Sequence, residues 1–396
     1  MLKSITVLGS TGSIGTSTLD VVRRWPERFR IFALVAGRNT ALLAAQIQEF
    51  RPSLAVVATE AALDDLTERL ALCGLPKVDW PEVLCGARAR VEAAIAPEAN
   101  FVMSAIVGVA GLEATYEAVR HRKTVGLANK EVLVASGRLV MNAAREFGTS
   151  LIPVDSEHNG AHQCLRGGLR EEATKLILTA SGGPFRNKPA AELLSVTPKE
   201  ALKHPTWVMG PRITIDSSTL MNKGFEVIEA CWLFDFEPKD IEVVIHPESK
   251  VHAMVEFRDG SVLAQVSATD MRMPIQYALT YPERAEAPVE RLDWRRSATW
   301  HFDAPDEDKF PLLKLACQAQ SAKDSSACTL NAADEIAVEA FLNEQISYPA
   351  IAEVVAETLS RVPGRTPASV GEVLEIDKES RVIARDCVRQ RAAVQA

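Results

Sequence analysis

Ser4-Ile-Thr-Val-Leu8, running on through Gly9-Ser-Thr-Gly12-Ser-Ile-Gly15, is the stretch whose reading decides the fold. A short apolar and β-branched run reads as a buried strand, and closely spaced glycines lead from it into a helical pattern that reaches Arg24. Glycines at a strand-to-helix turn let the backbone approach a pyrophosphate, and the helix N-terminus offers it N–H groups and the positive end of a dipole. The spacing is GxxGxxG, a variant of the usual dinucleotide fingerprint, and its place between a first strand and a first helix gives it weight. Thr11, Gly12, Ser13 and Ile14 are expected along the phosphates.

Working outward, a second strand over 31–36 ends in Gly37-Arg38-Asn39, where an NAD-specific site would commonly carry an Asp or Glu for the ribose hydroxyls. An Arg stands there instead. It can pair with a 2′-phosphate, which favours NADP(H) over NAD(H). Further strands are expected over 54–58, 101–107 and 124–128, with a helix over 111–122, continuing an α/β alternation. The last of these strands ends in Asn129-Lys130-Glu131, and ligands of open α/β sheets bind at such carboxyl ends.

At 396 residues the chain exceeds the length at which single cores stop growing, about 250–300 residues, so two or three domains are expected. Hydrophobic residues make up 47% and charged ones 24%, a globular composition. The formal net charge of −8, with no basic patch, argues against nucleic acid or an anionic membrane as partner. Seven scattered cysteines without a CxxC indicate neither a disulfide framework nor a zinc site. With no leader pattern and no apolar run near the roughly 18 residues that span a bilayer, a cytoplasmic enzyme is expected.

Two polar constellations follow. Ile152-Pro-Val-Asp-Ser-Glu-His-Asn159 delivers its polar groups straight from an apolar run; read as a strand over 152–154, its period of two puts Asp155 and Glu157 on one side, where they could grip a hard cation. Taken alone, such a pair is more often a solvated acidic turn. Asp216-Ser-Ser-Thr-Leu-Met-Asn-Lys-Gly-Phe-Glu226 reads as a helix from about residue 218, with Asn222 and Glu226 four apart on one face and Lys223 beside them. Lys, Asn and Ser suit a phosphate and Glu226 a metal, although a capped amphipathic helix fits equally. Between the two lie a strand over 175–179, the small-residue loop Ala180-Ser-Gly-Gly-Pro-Phe185 with its one hydroxyl Ser181, and His204-Pro-Thr-Trp-Val-Met-Gly-Pro211. That last segment has the composition of a lid or of a packed connector. Strands over 241–245, 251–257 and 261–267, with a turn at 258–260, come next; His246 and His252 read as structural. Residues 282–311 are proline-rich and irregular, and the chain from 312 onward is helical by periodicity.

The set as a whole resembles the 1-deoxy-D-xylulose 5-phosphate reductoisomerase family. The likeness rests on GSTGSIG, Ala128-Asn-Lys-Glu131, Val154-Asp-Ser-Glu-His-Asn159, Ser181-Gly-Gly-Pro-Phe-Arg186, His204-Pro-x-Trp-x-Met-Gly210, Met221-Asn-Lys-Gly224 with Glu226, and Ile245-His-Pro247, in that order across the whole chain. One departure is Gly160-Ala-His162, where the family is more apolar. The resemblance implies a Rossmann-like NADPH-binding domain over 1–150, a central α/β catalytic domain over 151–285 with a lid loop at 202–211, a linker over 286–311 and a C-terminal helical bundle over 312–396. It implies NADPH-dependent, divalent-metal-dependent rearrangement and reduction of 1-deoxy-D-xylulose 5-phosphate to 2-C-methyl-D-erythritol 4-phosphate by a cytoplasmic homodimer. Asp155, Glu157 and Glu226 would hold Mn²⁺, Mg²⁺ or Co²⁺; Ser181, Ser217, Asn222, Lys223 and His204 the phosphate; Lys130, Ser156 and Trp207 the rest of the substrate. Lys130, Glu157 and His204 are the expected catalytic groups, and Thr11 to Ile14, Gly37, Arg38, Asn39, Asn129, Glu131 and Gly210 the NADPH contacts.

Two other readings compete. A plain NADP-dependent dehydrogenase would not require three metal carboxylates, and its thioester-forming type would need a Cys beside a His, for which Cys164 near His162 is the nearest approach. A nucleotide-sensing module would bind NADPH without metal dependence or turnover.

Overall fold

Seven strands, all parallel, form the first sheet: β1 (Lys3–Leu8), β2 (Phe29–Val35), β3 (Leu54–Val57), β4 (Glu82–Cys85), β5 (Phe101–Ser104), β6 (Thr124–Leu127) and β7 (Leu151–Pro153). Their order is β4-β3-β2-β1-β5-β6-β7, so the chain lays strands to one side of β1 and then crosses to the other with β5. β1 and β5 are buried along nearly their whole length, Ser4, Thr6 and Ser104 included, as expected of strands covered on both faces. This computed structural model describes residues 2–207, 209–296 and 298–395. Val208 of the expected lid, Ser297 of the expected linker, and Met1 and Ala396 at the ends lie outside the described residues.

The chain forms two compact units: residues 1–132 with 140–159 and 270–291, and residues 133–139 with 160–269 and 292–396. The core of the first is built from Ile5, Val7, Leu34, Leu43, Phe101 and Met103, and helix Arg272–Thr280 returns to it late in the chain with Ile275 and Leu279. Trp25 Nε1 donates to Gln276 Oε1 at 3.2 Å on that seam, and Lys3 Nζ donates to the Leu279 carbonyl. One strand of this sheet escaped the sequence reading. β4 is four residues at the sheet edge, partly exposed throughout, and so carries little periodic signal.

The second unit carries β8 (Ala173–Ala180), β9 (Ile241–Ile245), β10 (Val251–Phe257) and β11 (Val262–Val266), in the order β11-β10-β8-β9. β8 and β9 are parallel, while β10 runs antiparallel to both β8 and β11. Gly260, at φ +83°, turns the β10–β11 hairpin, with Phe257 N–H bonded to the Ser261 carbonyl at 2.9 Å. The expected helical end of the chain comprises helices Leu312–Ser321, Ser326–Leu342, Ala350–Arg361 and Val370–Gln395. The helix expected from about residue 218 starts at Met221 (Met221–Phe234) and carries Asn222 and Glu226 four apart as expected, while a separate helix, Pro211–Ser218, ends just before it. Leu220 sits between them at φ +61°, a conformation a helix cannot continue through, so the polar cluster is divided between two helix ends. Among the described residues no helix is long and apolar enough to cross a membrane.

The close turn after β1 sets a stability expectation. A Cβ on Gly15 would come 2.3 Å from the Gly9 carbonyl oxygen and 2.5 Å from Ser10 Cα, whereas one on Gly37 would meet nothing within 4 Å. Gly15→Ala is expected to destabilise by about 1–3 kcal/mol through overpacking, a fall of roughly 3–10 °C in Tm. Gly37→Ala is expected to stay within about 0.5 kcal/mol of the parent. Thermal unfolding of both variants checks the contrast; equal Tm values would contradict it.

Candidate active site

The first unit presents the carboxyl ends of β1 and β5, the point at which strand order reverses. Gly9 follows β1 at φ +91°, and a Cβ there would lie 2.5 Å from the Ala105 carbonyl oxygen beyond β5. Gly9 and Ser10 N–H groups both bond to the Val35 carbonyl, at 2.8 and 2.9 Å, which folds the turn tightly over β2. Helix Ser13–Arg24 then starts from Gly12 with no side-chain cap and no acid in its first turn, while Arg23 and Arg24 close its other end. The positive end of the dipole is therefore left for an anionic group. Arg38 is exposed past β2, beside Gly37, whose Cβ position is open space. Asn39 caps helix Thr40–Phe50, its Oδ1 accepting from Leu42 N–H at 3.2 Å.

Asn129 does similar structural work at the next helix. Its Oδ1 accepts from Val132 N–H at 3.3 Å, and its Nδ2 donates to the Ile106 carbonyl and, at 3.1 Å, to that of Gly108. The residue expected to touch a nucleotide thus ties the loop after β5 to the start of helix Lys130–Phe147. Lys130 and Glu131 open that helix and are buried. Lys130 Nζ pairs with Asp155 Oδ2.

The strand alternation expected to align Asp155 with Glu157 does not extend to them. β7 ends at Pro153 and helix Ser156–Leu165 begins, because Asp155 caps it: the Asp155 carbonyl accepts from Asn159 N–H at 2.8 Å, and its Oδ1 from Glu157 N–H at 3.2 Å. Both acids nevertheless remain at the mouth of one helix, half-buried, and Ser156 Oγ donates to Glu157 Oε2 at 2.5 Å.

In the second unit, β8 delivers Ser181 and then turns through Gly182 (φ +80°) and Gly183 (φ +64°). His204 Nε2 stands 3.0 Å from Ser181 Oγ and 3.1 Å from Ser217 Oγ. Its Nδ1 accepts from the N–H groups of Thr206 and Trp207, at 3.2 and 2.9 Å. This fixes the neutral tautomer, with the proton on Nε2 facing the two hydroxyls. Burial lowers the imidazole below its ordinary 6.5, which is consistent with that tautomer. Trp207 is half-buried, and Gly210 caps helix Pro211–Ser218 with nothing near its Cβ position. On helix Met221–Phe234, Glu226 is 1% exposed and takes Asn222 Nδ2 on one oxygen at 2.6 Å and Lys223 Nζ on the other. The Lys and Asn expected at a phosphate thus also satisfy the carboxylate expected at a metal.

Helix Pro211–Ser218 is anchored by Arg212, which donates to Glu335 Oε1 at 2.8 Å and to Asn331 Oδ1 at 2.9 Å. Fully buried Asp334 lies 3.6 Å from Arg212 Nη2, and burial pushes its carboxyl up to about 6. His246 has the structural role expected of it: its Nε2 accepts from Lys250 and Val251 N–H groups, and its Nδ1 donates to the His301 carbonyl.

Comparison with known proteins covers nearly the whole chain. The family model for 1-deoxy-D-xylulose 5-phosphate reductoisomerase matches residues 5–137, and two models of that enzyme's C-terminal domains match 151–234 and 266–383. The 1-deoxy-D-xylulose 5-phosphate reductoisomerase of Solibacter usitatus is 67% identical over 99% of both chains. The chain belongs to the 1-deoxy-D-xylulose 5-phosphate reductoisomerase family. A second member, from Chlorobaculum tepidum, is 50% identical over 98% of this chain and all of its own. The solved reductoisomerase of Zymomonas mobilis, in complex with NADPH, superposes with a TM-score of 0.91 at 44% identity, covering 98% of this chain and 99% of that one. A reductoisomerase structure with NADPH, fosmidomycin and magnesium has the same TM-score at 40% identity, covering 98% of each chain.

Within this reductoisomerase each unit gathers its own half of the expected residues. The glycine turn, Arg38, Lys130, Asp155 and Glu157 belong to the first; Ser181, His204, Ser217, Asn222, Lys223 and Glu226 belong to the second. Sequence reading missed Lys309, whose Nζ donates to the carbonyls of Phe185 and Arg186 at 2.8 and 2.9 Å and so holds the Ser181 loop. No local signal could have revealed it, since it lies in a proline-rich stretch far along the chain.

The His204 geometry predicts a pH response. Because the folded imidazole titrates below 6.5, the unfolded chain takes up its proton first, so stability is full above 6.5 and is lost as pH falls towards the lowered folded value. Protonation of Nδ1 also removes the acceptor of the Thr206 and Trp207 N–H groups. Hydrogen exchange of these two amides is expected to speed up as pH falls below 6.5, after correction for intrinsic rates, and to lose that dependence in His204→Asn, whose Oδ1 can accept from both.

Proposed function

We propose that this reductoisomerase converts 1-deoxy-D-xylulose 5-phosphate to 2-C-methyl-D-erythritol 4-phosphate, an isoprenoid precursor of the non-mevalonate route, using NADPH and Mn²⁺, Mg²⁺ or Co²⁺. The observation that carries the reading is full-length kinship with curated reductoisomerases. The functional division that goes with it assigns NADPH to 1–150, catalysis to 151–285 with the lid at 202–211, connection to 286–311 and the helical bundle to 312–396.

Asp155, Glu157 and Glu226 are the proposed cation ligands. Three carboxylates offer hard oxygen donors alone, which suit these ions. Two like charges about 4 Å apart repel by roughly 4 kcal/mol at an effective dielectric near 20, so a dication gives Asp155 and Glu157 a reason to stay ionised at one helix start. Bound NADPH supplies hydride, and the bound cation supplies Lewis-acid polarisation of the substrate ketone.

The remaining roles fall to the chain itself. The uncapped first turn of helix Ser13–Arg24, with Thr11 to Ile14, is the proposed pyrophosphate seat, and Gly37, Arg38 and Asn39 would hold the 2′-phosphate end of NADPH. Asn129, Glu131 and Gly210 complete the proposed NADPH contacts. Ser181 and Ser217 offer hydroxyls to the substrate phosphate, the His204 Nε2 proton lies between them, and Asn222 and Lys223 add an amide and a cation. Lys130 and Ser156 orient the carbonyl and hydroxyl groups, Glu157 is a candidate to hold a proton, and Trp207 covers the carbon chain and excludes water. Seven free thiols fit a reducing compartment, so we place the enzyme in the cytoplasm, and we take it as a homodimer on family likeness.

Consumption of NADPH by the purified protein with 1-deoxy-D-xylulose 5-phosphate is expected to stop on chelation and return with Mn²⁺. Chelator-insensitive turnover would overturn the metal assignment; NADPH binding without turnover would leave a dehydrogenase of another substrate. Lys223→Met is expected to raise KM for the phosphorylated substrate on the order of 10- to 100-fold, the loss of a charged hydrogen bond.

A further inference from the structure

Tyr348 lies just ahead of helix Ala350–Arg361 and is 4% exposed. Its hydroxyl donates to the Ser218 carbonyl at 2.6 Å, at the end of the helix that carries Ser217. Carbonyls in the last turn of a helix have no intrahelical partner, and the chain here swings through Leu220 at positive φ, so a buried donor at this point holds the helix end in place. The same ring meets Phe185 edge-on, with centroids 5.2 Å apart at 81°, and Phe341 supports it from behind at 5.7 Å and 73°. Phe185 closes the loop that begins at Ser181.

The loop and the helix end are packed backbone against backbone. A Cβ on Gly183 would come 2.9 Å from the Ser217 carbonyl oxygen and 3.0 Å from Ser218 Cα. One aromatic side chain therefore touches both backbone segments that deliver hydroxyls to His204. Burial raises the Tyr348 phenol above its ordinary value, so it remains a donor through the neutral range.

We propose that Tyr348 is a positioning residue that sets the spacing of Ser181 and Ser217 for the substrate phosphate. It acts through Ser218 and Phe185, and it extends the phosphate pocket's support into the helical end of the chain. The inference rests on the proposed phosphate-binding role of those two serines.

The test compares Tyr348→Phe, which keeps the ring and removes one donor, with Thr358→Val, which removes a buried hydroxyl bonded to the Val354 carbonyl at 2.7 Å within the helical bundle. Tyr348→Phe is expected to raise KM for 1-deoxy-D-xylulose 5-phosphate by about 3- to 10-fold, the worth of one hydrogen bond, with a smaller change in kcat and none in KM for NADPH. Thr358→Val is expected to lower Tm without moving either KM. Unchanged substrate KM in Tyr348→Phe, or a rise in both KM values matched by the control, would overturn the proposal. Inorganic phosphate supplies a readout independent of turnover: the Tm increment it confers is expected to shrink in Tyr348→Phe and to persist in Thr358→Val. Equal increments in all three proteins would overturn the role of Tyr348. No increment in the parent, together with no turnover, would overturn the phosphate assignment beneath it.

Discussion

Buried charge has to be compensated where it lies, and each unit meets that demand with a lysine–carboxylate pair among the residues expected at the site. Lys130 pairs with Asp155 in the first unit and Lys223 with Glu226 in the second, all four at least mostly withdrawn from water. Removing an ion from water costs several kcal/mol after relaxation, and losing one partner of a buried pair leaves the other exposed to that full cost. Each of these groups thus has an opposite charge within its own unit.

Close backbone approach is the second constraint. Gly9 against Ala105, Gly15 against Gly9, and Gly183 against Ser217 leave no room for a Cβ. The first two bring a helix N-terminus down onto the carboxyl ends of β1 and β5, at the middle of the sheet. The third brings two serines to one imidazole. In each case the functional group is a backbone or hydroxyl group that a bulkier residue would hold out of reach.

Several residues picked out for chemistry also have structural duties. Asn39 and Asn129 cap helices, Asp155 caps the helix that carries Glu157, and His204 caps its own turn through Nδ1. A capped group loses rotamer freedom, so its remaining polar atoms are held in a defined direction. Strand alternation would group Asp155 with Glu157, whereas the helix start at Ser156 is what holds them together.

The sequence by itself determined the parallel α/β beginning, the glycine turn, the acids, the serines and the helical end, because each is written in contiguous residues through apolar period, glycine placement or motif order. It also carried the family likeness, which full-length comparison bore out. Only the tertiary structure decided the break at Leu220 that separates Ser217 from Asn222, the edge strand β4, the return of helix Arg272–Thr280 to the first core, and the grip of Lys309 and Tyr348 on the Ser181 loop. These depend on which distant segments pack against each other, and a hydrogen bond from Tyr348 to Ser218 leaves no periodicity in either stretch for a reader of sequence to find.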